Sequence, residues 1–485
     1  MSIFKDCDIR GVVPEEITEA TAYAIGQAFA SLFPEGTTFA VGGDVRIHTP
    51  PLKEALIAGL TQAGGNVFDL GIVPTPLFYF AIDHLKAQAG IMVTASHNPP
   101  QYNGFKIGFA DRPPTPEDFA VLAERIREGN FRESPKGRVS WVHLEDAYFE
   151  FLATHAPRPK KPLRVVVDCG NGCYSYLAPR FLRHLGYEVH ELFCSFDGTF
   201  PNRPPNPAQA KNLSALSAKV CDVKAHAGVA FDGDGDRVVF VADTGRVLSG
   251  EEGMIFFIRY HLAAQPGERK FVYDLKCSSI VPEEIRRIRG IPLPERSGHA
   301  YIKRRLLKEN ATMAGEISGH YFFQELGRDD GLYAASLFLA LLSQRSEPLS
   351  QIVATFPRSY VTPDIRIPRQ NRENLLTLLE ERIATGTISH LDGLRVEWED
   401  GWALIRKSVT EPVYTLRFEG KNPESIPELV RRLLGPFPEI EKEVLEKLSS
   451  DFPEENALKT LERKSYQRPD HNSAPCLDEV SRELS

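Results

Sequence analysis

The chain has 485 residues, 42% of them hydrophobic and 25% charged, with a formal net charge of −8. This is the composition of a soluble globular protein too long for one core, and about three or four domains are expected. The acidic balance argues against a nucleic-acid partner, whose binding domains are usually basic. No apolar run approaches the ~18 residues of a spanning helix, and the first residues lack the apolar core of a signal peptide. The seven cysteines are scattered and lack paired zinc spacing, so they read as thiols in a reducing cytoplasm. The expected partners are small molecules, with no nucleic acid and no membrane.

Residues 4–11 form a short segment before the first helix. That helix shows in the apolar stripe of Ile17, Tyr23, Ala24, Ala28 and Leu32. Strand 38–42, helix 52–60, strand 66–70, helix 77–85 and strand 90–94 follow. Strands alternating with helices imply a parallel or mixed sheet with helical crossovers. The Pro-rich, basic joint 157–162 marks a boundary. The same order then restarts with strand 163–168, helix 178–185 and strand 187–192. A third round has helix 254–261, strand 270–274 and a helix near 302–309. Near 363–368 the pattern changes to helix 374–384, antiparallel strands 394–398, 402–406 and 413–418, and a helix near 425–434.

The fold class is therefore α/β: three successive sheet-helix domains plus a smaller C-terminal α+β domain. The expected boundaries are 1–156, 157–253, 254–362 and 363–436. A charged, apolar-poor extension follows at 437–485, in which 440–448 is one more helical stretch and the last thirty or so residues offer little surface to bury.

Four motifs carry chemistry. The first, Thr94-Ala-Ser-His-Asn-Pro-Pro-Gln-Tyr-Asn-Gly-Phe-Lys106, sits where an apolar strand runs into a loop, the edge where α/β proteins bind ligands. It places His97, Asn98 and Lys106 around the Ser96 hydroxyl. It fails the Gly-x-Ser-x-Gly pattern of hydrolases. Neighbours in extended chain also point to opposite sides, so His97 is badly placed as a base for Ser96.

The second, Asp232-Gly-Asp-Gly-Asp-Arg237, puts three carboxylates at alternate positions between two apolar strands. They would repel without a cation, and all-oxygen ligands suit Mg²⁺ or Ca²⁺. An EF-hand would need Gly and Glu where Arg237 and Asp243 stand. A phosphoryl-transfer Mg²⁺, bound by few protein ligands, is the better reading.

The third, Gly315-Glu-Ile-Ser-Gly-His-Tyr321, either places Glu316 and Ser318 on one side of an extended chain, where they suit neighbouring sugar hydroxyls, or is a satisfied turn with a capping glutamate. The fourth, Arg406-Lys-Ser-Val-Thr-Glu-Pro412 with Arg417 beyond it, has the arginines and hydroxyls of a phosphate cradle, or is a hairpin turn with incidental charge. Gly170-Asn-Gly172 lacks the third glycine of a dinucleotide loop, and no Gly-x4-Gly-Lys-Ser/Thr is present, so nothing points to NAD or ATP.

In this order and one per domain, the four motifs resemble those of the α-D-phosphohexomutases, closest to the bacterial phosphomannomutase/phosphoglucomutase branch. The resemblance covers roughly residues 4–435. It implies a heart-shaped protein with a central cleft, monomeric or weakly dimeric. It implies interconversion of hexose 1-phosphate and hexose 6-phosphate through a phosphoserine at Ser96 and a hexose 1,6-bisphosphate. Glucose 1,6-bisphosphate would be the activator and intermediate. Ser96, Asp232, Asp234 and Asp236 would hold Mg²⁺. Arg10, His97, Lys106 and Arg237 would lie near the transferred phosphoryl, with His320 a candidate for proton transfer. Lys276, His299, Glu316 and Ser318 would contact the sugar phosphate. Arg406, Ser408, Thr410 and Arg417 would hold the phosphate that is not transferred. Phosphoglucosamine mutase and a non-catalytic sugar-phosphate binder are the alternatives. Val409 departs from the Gly or Asn common there, which suggests another backbone shape or a weaker phosphate grip.

Overall fold

The structure, a computed structural model, describes residues 3–370, 372–408 and 412–451. Four sheets follow one another along the chain. The first has six strands in the order Ile9–Val12, Tyr102–Phe109, Ala89–Val93, Thr38–Gly43, Asn66–Ile72 and Val139–Trp141. Its last four strands are parallel, joined by the crossover helices Thr49–Gln62 and Thr75–His84. The first two strands run antiparallel at one edge. Strand Tyr102–Phe109 escaped the sequence reading because Gly104 and Gly108 break its apolar pattern. Both glycines are needed: a Cβ at Gly104 would lie 2.1 Å from the Ile9 carbonyl, and one at Gly108 2.6 Å from Ile82.

The second sheet orders its strands Val238–Ala242, Ala227–Phe231, Arg164–Asp168 and Glu188–Leu192. Phe231 pairs directly with Val238, so the aspartate motif is the loop of a β-hairpin. The third sheet contains a second hairpin, Met313–Gly315 with Tyr321–Phe323, whose loop is Glu316–His320. The fourth is a largely antiparallel sheet built on Leu394–Trp398, Gly401–Lys407 and Val413–Gly420. Among the described residues, no helix is long and apolar enough to cross a membrane.

The chain forms two compact units. One comprises Met1–Asp274, Val281–Pro294 and Gly298–Phe356; the other comprises Leu275–Ile280, Glu295–Ser297 and the chain from Pro357 on. The second unit thus takes in two short segments that the sequence reading gave to the third α/β domain.

The second unit's core also runs past the expected boundary at 436. Helix Pro438–Asp451 places Ile440 and Val444 in one apolar cluster with Tyr414, Leu416, Phe418 and Leu433. Overall charge hid this, because two apolar positions four apart suffice to bury one helix face. Val444→Ala is expected to destabilise the second unit by about 2 kcal/mol, from two lost methyls and the cavity they leave. Urea unfolding followed by the fluorescence of Trp398 and Trp402 measures it.

Candidate functional site

Ser96 follows strand Ala89–Val93 and adopts left-handed backbone, φ +50°. A non-glycine residue there costs of order 1–3 kcal/mol unless its surroundings hold it. Three buried residues, Thr94, Asp44 and Arg46, do so. The Ser96 N–H donates to Thr94 Oγ1 at 2.9 Å, and Thr94 Oγ1 donates to Asp44 Oδ2 at 2.7 Å. Asp44 also pairs with Arg46 Nε at 3.0 Å. The Arg46 guanidinium then donates to the carbonyls of Ser96, Asn98, Pro99 and Tyr102, at 2.6–3.0 Å. Neither side chain of the pair is exposed at all. A guanidinium satisfied by one carboxylate and four carbonyls fixes the whole serine loop.

The left-handed turn corrects the placement of His97. The chain is not extended at Ser96, so the His97 ring turns back and Nδ1 lies 3.4 Å from Ser96 Oγ. Burial, reinforced by Arg237 and Arg10, holds the His97 imidazole well below its ordinary pKa. It is therefore a neutral ring beside the hydroxyl.

Ser96 Oγ donates to Asp232 Oδ2 at 2.8 Å. Ligand atoms of Asp232, Asp234 and Asp236 lie within 4.8 Å of one another, and all three residues are buried. The glycines between them have steric reasons. A Cβ at Gly233 would sit 2.6 Å from the Ser96 carbonyl oxygen; Gly235, at φ +81°, packs its Cα side against the Tyr174 ring. Lys106 Nζ donates to Asp234 Oδ2 at 2.7 Å and to Asp236 Oδ2 at 2.5 Å. Thr75 Oγ1 donates to Asp234 Oδ2 at 2.6 Å. Burial opposes ionisation of Asp234 and Asp236, but Lys106, joined by Thr75 at Asp234 and by His320 and Arg237 at Asp236, keeps both carboxyls below their usual range. Burial, with Asp236 and Asp234 alongside, pushes Asp232 well up instead. Asp234 Oδ1 and Asp236 Oδ1 are buried and accept no hydrogen bond. Asp234 Oδ1, with no partner among the described residues, and Asp236 Oδ1, faced by His320 and Arg237, lie beside a third carboxylate and fit a hard divalent cation.

His320 lies against the same loop through a backbone bridge to Arg237. Its Nε2 is 3.2 Å from Asp236 Oδ1, and its Nδ1 is 2.7 Å from Glu316 Oε2 and 3.0 Å from Ser318 Oγ. Burial alone would lower its pKa, but Asp236 and Glu316 raise it to about 10. Glu316, buried too, is brought to about 2, chiefly by His320. Here the expected extended chain is a tight hairpin loop, closed by Glu316 N–H to the His320 carbonyl at 3.0 Å. Glu316 and Ser318 consequently converge on His320. His299 stacks at 6.2 Å from the His320 ring, and burial with Lys106 and His320 nearby lowers its pKa to about 4. Arg10 donates to Asn98 Oδ1 at 2.5 Å and pairs with Asp8.

The first unit therefore assembles Ser96, His97, Lys106, the three aspartates, Arg237, His299, Glu316, Ser318 and His320, with Arg10 braced on the serine loop. In the second unit, Arg406 pairs with Asp392 at 2.8 Å and Arg417 Nε donates to the Thr362 carbonyl at 3.0 Å. Arg406 is opposite Thr415, so Arg406 and Arg417 share a face of the sheet. Lys276 Nζ is 3.3 Å from Asp364 Oδ2. Ser408 donates its N–H to the Val413 carbonyl at 2.9 Å across the hairpin. Val409 and Thr410 lie outside the described residues.

Family models for the alpha/beta/alpha domains I, II and III of phosphoglucomutase/phosphomannomutase match residues 1–133, 146–245 and 249–360. The chain belongs to this family. It is 40% identical to the phosphomannomutase/phosphoglucomutase of Pseudomonas aeruginosa, over 88% of this chain and 93% of that protein. It is 36% identical to the phosphoglucomutase of Neisseria gonorrhoeae, over 89% and 95%. A phosphoglucomutase/phosphomannomutase family protein of Burkholderia thailandensis has a crystal structure that superposes with a TM-score of 0.83 at 35% identity, over 89% and 96%.

The sequence reading of this family member missed Asp44, Arg46 and Thr75, and gave Thr94 no role within its motif. Asp44 and Arg46 follow a strand's C-terminal end, which was the one available signal. Arg46→Met is expected to destabilise the first unit by about 3–5 kcal/mol, since it strands Asp44 and four carbonyls; thermal unfolding tests this. Gly233→Ala should leave the fold intact by circular dichroism yet abolish activity, because the added methyl displaces Ser96.

Proposed function

We propose that Ser96 carries the phosphoryl group in an interconversion of hexose 1-phosphate and hexose 6-phosphate, of mannose, glucose or both. The observation that carries this reading is the Ser96 hydroxyl, 2.8 Å from Asp232 in a buried cluster of three carboxylates. Membership of the family makes the chain an isomerase of the phosphotransferase kind, a hexose-phosphate mutase.

Asp232, Asp234 and Asp236, with the Ser96 oxygen, would hold Mg²⁺. The bound ion supplies positive charge to the phosphoryl oxygens as negative charge shifts among them. Arg237, Lys106 and Arg10 supply further cations on the protein side. In transfer to the sugar, the bond between phosphorus and Ser96 Oγ breaks as a sugar hydroxyl oxygen bonds to phosphorus. Ser96 Oγ departs with the proton that His320 holds, and the sugar hydroxyl proton takes its place on His320. In the return step, Ser96 Oγ takes the other phosphoryl of the 1,6-bisphosphate and gives its proton to His320, as the departing sugar oxygen takes one from His320. The pull of Asp236 and Glu316 on His320 keeps that proton in place beforehand. Neutral His97 adds a hydrogen-bonding edge without competing for the proton.

Glucose 1,6-bisphosphate would act as activator, by phosphorylating Ser96. Glu316, Ser318 and His299 would contact the sugar, the first two by exchanging their hydrogen bonds to His320 for sugar hydroxyls. A grip on O3 and O4 need not read O2, which would admit both glucose and mannose. Arg406, Ser408, Arg417 and Lys276 give the second unit the charge to hold a phosphate that is not transferred, with Thr410 completing the cradle. The serine loop, aspartate loop, sugar hairpin and phosphate cradle would fall one to each of the domains expected at 1–156, 157–253, 254–362 and from 363 on, with Lys276 lent by the third to the fourth, and a cytoplasmic monomer or weak dimer would suit small diffusible substrates.

The mass of the purified protein should exceed its sequence mass by one phosphoryl group, and Ser96→Ala should lose that increment. With glucose 1-phosphate, Mg²⁺ and a trace of glucose 1,6-bisphosphate, glucose 6-phosphate should accumulate. Release of free phosphate would instead mark a hydrolase, and no turnover a binding protein. The same assay with mannose 1-phosphate and glucosamine 1-phosphate sets the sugar preference.

A further inference from the structure

The second unit contains Leu275–Ile280, a segment that continues directly from the third sheet's strand Lys270–Asp274. Something specific must hold it there. Residues Trp402, Leu404 and Arg406 on one strand face Glu419, Arg417 and Thr415 on the next. Alternate positions share a face, so these six form one side of the sheet. The opposite side, with Ala403, Ile405, Leu416 and Phe418, belongs to the main core of the unit. Against the first side Leu275 packs on Trp402 and Leu404 in a small separate cluster.

Glu419 lies in the middle of this contact and is almost fully buried. Its carboxylate accepts the Ser279 N–H and the Ser279 hydroxyl, each at 2.9 Å. It also accepts the Ser278 hydroxyl and Trp402 Nε1. Arg395 stacks 3.9 Å above the Trp402 ring and donates to the Leu275 carbonyl at 2.7 Å. The segment is thereby held at Leu275, Ser278 and Ser279, on either side of Lys276. Lys276 Nζ in turn pairs with Asp364, whose carboxyl is drawn below its ordinary value against its own burial, first by Lys276 and then by Arg417. Lys276 and Arg417 therefore act on one carboxylate. They come from segments more than a hundred residues apart.

We infer that Glu419 is a positioning residue: it fixes the Lys276 segment to the sheet that bears Arg406 and Arg417, so that the three cations present one preformed site for a phosphate group. A carboxylate suits the task because all four of its contacts are donors. An amide in its place brings its own donors toward donors and loosens the segment. The inference rests on the reading of Lys276 as a phosphate contact, and the test separates the two.

Steady-state kinetics with glucose 1-phosphate on the full-length protein, for Lys276→Met, Glu419→Gln and the double variant, form a double-mutant cycle. Lys276→Met should raise KM about tenfold, a loss of one phosphate contact. Glu419→Gln should raise KM several-fold with a smaller change in kcat, and the double variant should match Lys276→Met alone. Ser279→Ala, which removes a single donor, should show a milder version of the same coupling and stands in if Glu419→Gln does not fold. An unchanged KM in Lys276→Met overturns the role of Lys276, and the inference with it. A Lys276→Met defect to which that of Glu419→Gln simply adds overturns the positioning role alone.

Discussion

Three carboxylates buried within 4.8 Å of one another are tolerable only where positive charge meets them. Much of the first unit is arranged around that need. Lys106 reaches the cluster from the first sheet, Arg237 lies beside it in the same loop, and His320 arrives from the hairpin of the third sheet. Even so, Asp234 Oδ1 keeps no hydrogen bond among the described residues, which leaves the chemistry of a cation site. Ser96 enters this setting with its hydroxyl bonded to the cluster through Asp232.

A hydroxyl in that position is useful only if it stays there. Ser96 has an unfavourable φ, and the Asp44–Arg46 pair over-determines its loop from behind. The clamp spends a buried ion pair, which by itself contributes little to stability, on local geometry. Arg46 satisfies four carbonyls that would otherwise be orphaned in the loop. The same economy recurs in the second unit. Asp392 pairs with Arg406 and accepts the Ser297 N–H at 3.1 Å, while Glu419 anchors Ser278 and Ser279. Each buried acid thus ties a borrowed segment to the sheet.

The electrostatics also sort the histidines. His97 and His299 are half-buried near cations and held neutral, whereas His320 is buried between Asp236 and Glu316 and held charged. Burial lowers all three pKa values; the charges that face each ring decide the outcome. One fold therefore offers both neutral hydrogen-bonding rings and a proton donor near a single serine.

The sequence by itself determined the family, the alternation of strands and helices, and the residues of the four motifs. Periodicity and short-range spacing carry that information: Asp232, Asp234 and Asp236 must share one loop, and Ser96 must end a strand. It did not reveal strand Tyr102–Phe109, whose glycines make sense only against Ile9 and Ile82. Nor did it reveal that Ile440 and Val444 complete a core. Tertiary structure alone decided the backbone turn that brings His97 back to Ser96, and the convergence of Glu316 and Ser318 on His320. It alone joined Arg46 to a loop fifty residues away and Glu419 to one 140 residues away. The physical reason is common to these cases. A local pattern records which face a residue occupies, but the partner that satisfies a buried charge is chosen by how distant segments pack.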